Sequence, residues 1–182
     1  MRSISNMPIE EAGLPAGDTG YVWDVYQDSV KMSTYLLAFV VSDFVYRTSE
    51  PLPNGVEFRI WSREEARDQT EWASQIGPRI LAYYEEYFNV SFPLPKQDMI
   101  AIPDFSAGAM ENWGLITYRE SALLYDPEIM TVGFKNEYLN NFRWMTWSTS
   151  PLMWRTRLPI SGLATWSPWS GIINRRIFLF HK

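Results

Sequence analysis

The strongest candidate for a chemical role in this 182-residue chain is a glutamate in an apolar segment bounded by glycines. Glu111 lies beside Met110 and two residues before Trp113, within residues 108–114. A carboxylate in such surroundings is costly unless it meets a cation or several hydrogen-bond donors, and the terminal ammonium of a peptide would supply both. Small residues at 107–109 leave the backbone accessible to an extended peptide. A plain turn with a solvated or capping Glu111 is the alternative, and these residues alone leave both interpretations open.

The composition excludes several other kinds of site. Without cysteine, disulfide scaffolds and cysteine zinc sites are excluded, and a single histidine, His181, nearly excludes a histidine-built metal centre. A net charge of −5 argues against a nucleic-acid partner. The longest apolar run, residues 35–41, is too short to span a bilayer. No signal sequence follows Met1, so the sequence leaves the localisation unknown and associates the chain with a membrane only through regions that it lacks.

The elements that would position Glu111 are strands, then a helix, then further strands. Residues 3–20 predict a loop. The predicted strands are residues 21–26, 35–41 (buried on both faces), 56–61 (half-exposed), 98–102 and 115–118. Ser62 and Glu65 form a capping-box pattern, which predicts a helix to about residue 89 that Gly77 and Pro78 kink or split.

Several motifs occur in order along the chain: S-N-M-P at residues 5–8, M-S-T-Y-L at 32–36, V-S-D-F at 41–44, G-A-M-E-N at 108–112 and W-G-L-I-T-Y-R-E at 113–120. Together they resemble the aminopeptidase N family of zinc aminopeptidases, whose exopeptidase signature is G-A-M-E-N. The resemblance covers about residues 3–127. It implies an α+β fragment in which residues 1–60 end an all-β amino-terminal domain and residues 61–127 begin a thermolysin-like catalytic domain.

The resemblance also implies roles for individual residues. Glu111 would bind the free α-amino group of a peptide substrate, and Gly108 and Ala109 would line that substrate as a backbone edge. Met110 would border the first side-chain pocket, and Asn112 completes the substrate-binding set. The implied partners are peptides with a free amino terminus.

The catalytic part of the family pattern is missing. The family holds zinc with H-E-x-x-H on a helix and a second glutamate, and the motif glutamate is the general base. The chain contains no such motif, and His181 cannot replace two imidazoles. Zinc therefore belongs to the intact family enzyme. We expect this chain to bind no metal, to contain no catalytic residue and to hydrolyse no peptide.

Residues 128–182 differ abruptly from the rest. Their net charge is +5 against −10 for residues 1–127, and they contain five of the nine tryptophans. For residues 155–171, codons exist whose neighbouring frame reads A-H-E-T-A-H-Q-W-F-G-N-L-V-T-M-E-W, which includes the missing motif. We therefore predict an aberrant, out-of-frame and poorly ordered tail. An adhesion module built on W-S-P-W-S at residues 166–170 is a weaker alternative.

Two functions follow from these observations. The first is a fragment of a zinc aminopeptidase that retains the amine-recognition loop but lacks the zinc motif. The second is a non-catalytic short form that binds peptide amino termini.

Overall fold

The computed structural model describes residues 1–50, 52–130, 172–173 and 176–182, and this part of the chain mixes strands with helices. Its strands are β1 (Arg2–Ser5), β2 (Ile9–Pro15), β3 (Val22–Tyr26), β4 (Met32–Ser33), β5 (Phe39–Ser42), β6 (Val45–Thr48), β7 (Glu57–Ser62), β8 (Lys96–Ile102), β9 (Ala109–Met110), β10 (Leu115–Arg119), β11 (Ile172–Ile173) and β12 (Phe178–His181). Its α-helices are α1 (Glu71–Phe88) and α2 (Glu120–Leu123). The arrangement is α+β, as the sequence predicts.

A five-stranded sheet in the order β6-β7-β8-β10-β9 forms the centre of the described structure. Strands β7, β8 and β10 run parallel, and the outer strands β6 and β9 are antiparallel to their neighbours. Side chains alternate between the two faces, so Met99 joins the core that includes Leu81 of α1, while Ile100 packs with Ile4 of β1. The sheet is therefore covered on both faces.

The strands of this sheet confirm the predictions for residues 98–102 and 115–118. Strand β7 confirms a strand at 56–61, but five of its residues are buried or half-buried because β6 and β8 flank it and both faces are covered. Only Glu57 at its start is exposed.

The strand predicted at residues 35–41 is confirmed only for residues 39–41, and its predicted burial on both faces is wrong. Thr34–Leu36 form a 3-10 turn, and the strand that follows, β5, has alternating exposure. The reason is that, among the described strands, β5 pairs with β1 alone in a two-stranded sheet, and one of its faces meets the core. An apolar run indicates burial but does not say how many layers cover it.

The predicted loop at residues 3–20 is also wrong, because it contains β1 and β2. Strand β1 pairs with β5, and β2 pairs with β3 through two register shifts. Gly13 lies within the shifted region at a φ of +69°. Strand pairing, with the distant β5 for β1 and with the neighbouring β3 for β2, therefore outweighs the loop-like composition of this segment.

The predicted capping box does not form. The Ser62 hydroxyl donates to the carbonyl of Arg63 (3.0 Å), 3-10 turns occupy Glu64–Ala66 and Asp68–Thr70, and α1 begins at Glu71. Helix α1 continues through Pro78, so the predicted split is wrong. Pro78 is buried, and packing offsets the hydrogen bond that proline removes.

Most of the predicted tail, including residues 131–171, lies outside the described residues, as does the W-S-P-W-S motif. The described part differs from the predicted poor order, because β11 pairs with β4 and β12 pairs antiparallel with β3. Within the described part of the chain, no helix has the length and apolar character needed to cross a membrane.

Candidate substrate-amine site

The G-A-M-E-N segment lies at the edge of the five-stranded sheet. The carbonyl of Gly108 accepts a hydrogen bond from the Arg119 N–H (2.9 Å), and Ala109 lies opposite Tyr118. In an antiparallel pair, successive residues point their backbone groups to opposite sides. The N–H and C=O of Ala109 therefore point away from β10, toward the open edge of the described sheet.

Glu111 follows β9 directly and is half-buried. Among the described residues, its carboxylate has no hydrogen-bond or ion-pair partner. Gly108 is exposed, and a Cβ added there would meet no atom within 4 Å. A half-buried carboxylate without a cation therefore lies beside an accessible backbone edge. Such a carboxylate gains most from a ligand that brings a positive charge and N–H donors.

The other two residues of the motif differ in exposure. Met110 is half-buried opposite Thr117. Asn112 is buried, donates to the carbonyl of Leu36 (3.2 Å) and accepts from the Thr117 hydroxyl (3.0 Å). Its own carbonyl accepts from the Leu115 N–H (3.1 Å). Asn112 thus anchors the segment with three bonds to the protein.

A buried charge cluster lies behind residues 108–114, which we call the loop. The Lys96 ammonium lies 2.7 Å from the Asp98 carboxylate, and the Arg59 guanidinium donates to both oxygens of Asp98 at 2.6 and 2.9 Å. Burial alone would raise the pKa of Asp98, but Lys96 and Arg59 together lower it below its usual value of 3.8. Asp98 is therefore ionised near neutral pH and balances part of the buried positive charge.

Two polar residues contact the loop from behind, and the sequence gives neither of them a role. Asn6 donates to the carbonyl of Trp113 (2.8 Å), and Lys96 donates to the carbonyl of Gly114 (2.8 Å). Asn6 lies in the S-N-M-P motif, but its contact spans 107 positions of the chain. Local periodicity carries no signal for such a pairing.

The described residues do not fit a zinc centre. Residues 1–50, 52–130 and 176–182 contain no group of three or more histidine, cysteine, aspartate or glutamate side chains that could hold a metal ion. His181 Nε2 lies 2.7 Å from the Asp24 carboxylate in an ion-pair geometry that joins β12 to β3. This pair supplies two donors where a structural or catalytic zinc requires three or four.

Comparison with known proteins gives the family to which this segment of sequence is similar. Residues 72–140 match the peptidase family M1 domain. The chain is 51% identical over 126 residues to aminopeptidase N of Haemonchus contortus, and this alignment covers 69% of the chain and 13% of the relative. It is 48% identical over 126 residues to endoplasmic reticulum aminopeptidase 1 of Mus musculus (69% and 13%). It is 44% identical over 131 residues to aminopeptidase N of Bos taurus (70% and 14%).

The chain belongs to peptidase family M1. The aminopeptidases of this family are zinc-dependent hydrolases that act on peptides. The chain spans 13–14% of the length of these three relatives, and the family match extends to residue 140, beyond the compositional change at Pro127.

Proposed function

We propose that this chain carries the substrate-amine site of a zinc-dependent aminopeptidase and binds the amino terminus of a peptide through Glu111. The observation that supports this function is the half-buried carboxylate of Glu111, which has no partner among the described residues and lies next to the open edge of β9. Zinc and the residues that would hold it belong to the intact family enzyme.

The backbone of β9 supports binding of an extended peptide. A peptide that adds to this edge hydrogen-bonds to the N–H and C=O of Ala109, as in β-augmentation. Gly108 keeps the approach open because it has no side chain, and Met110 contacts the first side chain of the peptide. The ammonium of the peptide then meets Glu111, whose charge selects a free amino terminus.

This arrangement explains why the site would recognise one end of a peptide. A backbone edge alone accepts any extended segment, since its hydrogen bonds do not depend on side chains. A single carboxylate at the end of that edge adds affinity only where a positive charge arrives. Glu111 therefore converts a general peptide edge into a site for amino termini.

A non-catalytic short form that binds amino termini is the second candidate. The observation that favours it is the sequence itself, which has one histidine and no H-E-x-x-H motif. Both candidates use the same site, and they differ in whether a peptide is cleaved after it binds.

The test compares Glu111→Gln with Glu86→Gln, which removes the same charge from the exposed surface of α1. Binding of a tripeptide and its N-acetylated form to the full chain is measured by NMR titration. The wild type and Glu86→Gln should prefer the free amine. Glu111→Gln should reduce that preference by about 10- to 150-fold, because a hydrogen bond to a charged group contributes about 1.5–3 kcal/mol. Equal binding of both peptides by the wild type would overturn the proposal.

A further inference from the structure

A buried polar junction fixes the segment that follows Glu111. Two side chains donate to the carbonyl of Leu36: Asn6 Nδ2 at 2.9 Å and Asn112 Nδ2 at 3.2 Å. Leu36 itself is fully buried. One carbonyl thus joins the residue that follows Glu111 to a residue near the start of the chain.

Asn6 uses its whole amide in this junction. Its Nδ2 also donates to the carbonyl of Trp113 (2.8 Å), and its Oδ1 accepts from the Ala38 N–H (2.9 Å). Asn6 is only 1% exposed. Because water does not reach its amide, the protein supplies these hydrogen-bond partners. A buried amide with this many partners holds a single orientation.

Lys96 supports the same junction from the sheet. Its ammonium donates to the carbonyls of Ser5 (2.7 Å) and Gly114 (2.8 Å), and the carbonyl of Gly114 also accepts from the Asp98 N–H (3.0 Å). Lys96 therefore holds both Ser5, which precedes Asn6, and Gly114 of the loop. Glu111 is the half-buried residue between the paired strand β9 and this fixed segment.

We infer that Asn6 is a positioning residue for Glu111, and that through Trp113 and the shared Leu36 carbonyl it sets the preference of the site for free amino termini. The inference rests on the proposed function of Glu111. Asn6 does not touch the peptide. Its effect is to keep the carboxylate at the end of β9, where the amine arrives, instead of letting it turn toward solvent.

The test uses Asn6→Ala in the full chain with two measurements. The first is the ratio of the Kd values for an N-acetylated tripeptide and the same peptide with a free amine. The second, which needs no ligand, is hydrogen exchange at the Leu115 N–H, which is bonded to the Asn112 carbonyl. The exchange control is the Ser49 N–H, bonded to the Phe58 carbonyl beside the opposite edge of the sheet.

We expect Asn6→Ala to lower the ratio by about tenfold and to speed exchange at Leu115 by a similar factor, with Ser49 unchanged, because deleted hydrogen bonds change local equilibria by about this amount. Ser74→Ala is the matched control. It removes a buried hydroxyl that donates to the Glu71 carbonyl on α1 (2.8 Å), and it should leave the ratio unchanged.

Thr117→Val keeps the inference testable if Asn6→Ala does not fold. It removes only the donor to Asn112 Oδ1 and should lower the same ratio by about threefold. A wild-type preference that both variants retain would overturn the inference and leave the proposed function intact. A wild type without any preference would overturn both.

Discussion

Gly114 offers the sharpest test of the junction behind the loop. It has a φ of +83°, in the region that favours glycine. A Cβ added to Gly114 would collide with the carbonyl oxygen of Asn6 and lie 2.9 Å from Leu94 Cδ1. The Leu94 methyl group can rotate away, but the Asn6 carbonyl is backbone, held in place by the hydrogen bonds of its own side chain.

Gly55 separates the two costs of a Gly114→Ala substitution. Its φ is +80°, but a Cβ there would meet no atom within 4 Å. Gly55→Ala should therefore show only the cost of a left-handed alanine, about 1–2 kcal/mol. Gly114→Ala should add the cost of forcing an atom into a packed region, about 1–3 kcal/mol, for a total of about 2–5 kcal/mol.

Urea unfolding of the two variants and the wild type measures this difference in the free energy of unfolding. A Gly114→Ala variant that loses no more stability than Gly55→Ala would refute the close approach of Asn6 to the loop. A larger loss for Gly55→Ala would refute the assignment of the clash to Gly114.

The remaining predictions concern charge, activity and the reading frame. Asp98→Asn leaves Lys96 and Arg59 without their shared carboxylate, so it should cost about 3–5 kcal/mol at pH 7. Because the pKa of Asp98 is lowered on folding, its contribution to the free energy of unfolding is present above pH 3.8 and lost as the pH falls further. Urea unfolding at several pH values should therefore show the stabilities of the wild type and the variant converging in acid. A stability difference that does not depend on pH would contradict this. The purified chain with added zinc should not release amino acids from fluorogenic aminopeptidase substrates, and hydrolysis that a chelator abolishes would contradict the expectation drawn from its single histidine. Sequencing the transcript across residues 126–171 should reveal H-E-x-x-H in a neighbouring frame, and codons that cannot encode it there would end the out-of-frame hypothesis.

The sequence predicts well the elements whose local pattern matches their tertiary surroundings. Strands β8 and β10 and most of α1 are of this kind. The two strands contain short apolar runs and are buried along nearly their whole length, and α1 has apolar residues at helical spacing. Strands β1 and β5 are predicted badly because each pairs with the other across more than 30 positions of the chain, and β2 is missed because its pairing with β3 contains two register shifts. The capping box fails for a related reason, since the Ser62 hydroxyl bonds to the next carbonyl.

In the candidate site, too, the sequence predicts some features and misses others. The residue types around Glu111 are compatible with an amine-binding carboxylate or a plain turn, and the G-A-M-E-N motif favours the amine-binding carboxylate. Its supports are not predictable, because Asn6 and Lys96 reach the loop across 107 and 18 positions of the chain. Asn112 shows the limit of motif reasoning most clearly. The resemblance groups it with the substrate-binding residues, whereas its side chain bonds to Leu36 and Thr117.

The contacts that fix the loop around Glu111 bear on how amine recognition relates to zinc chemistry. Asn6, Leu36, Lys96 and Thr117 all precede residue 128, where the composition changes. The contacts described for the loop therefore all come from residues 1–127. In an intact aminopeptidase, the measured affinity for a peptide combines its amine contact with its contacts to the metal. Under the proposed function, the preference of this chain for a free amino terminus would report the Glu111 contact, and its size would give the part of substrate binding that the amine supplies before any chemistry begins.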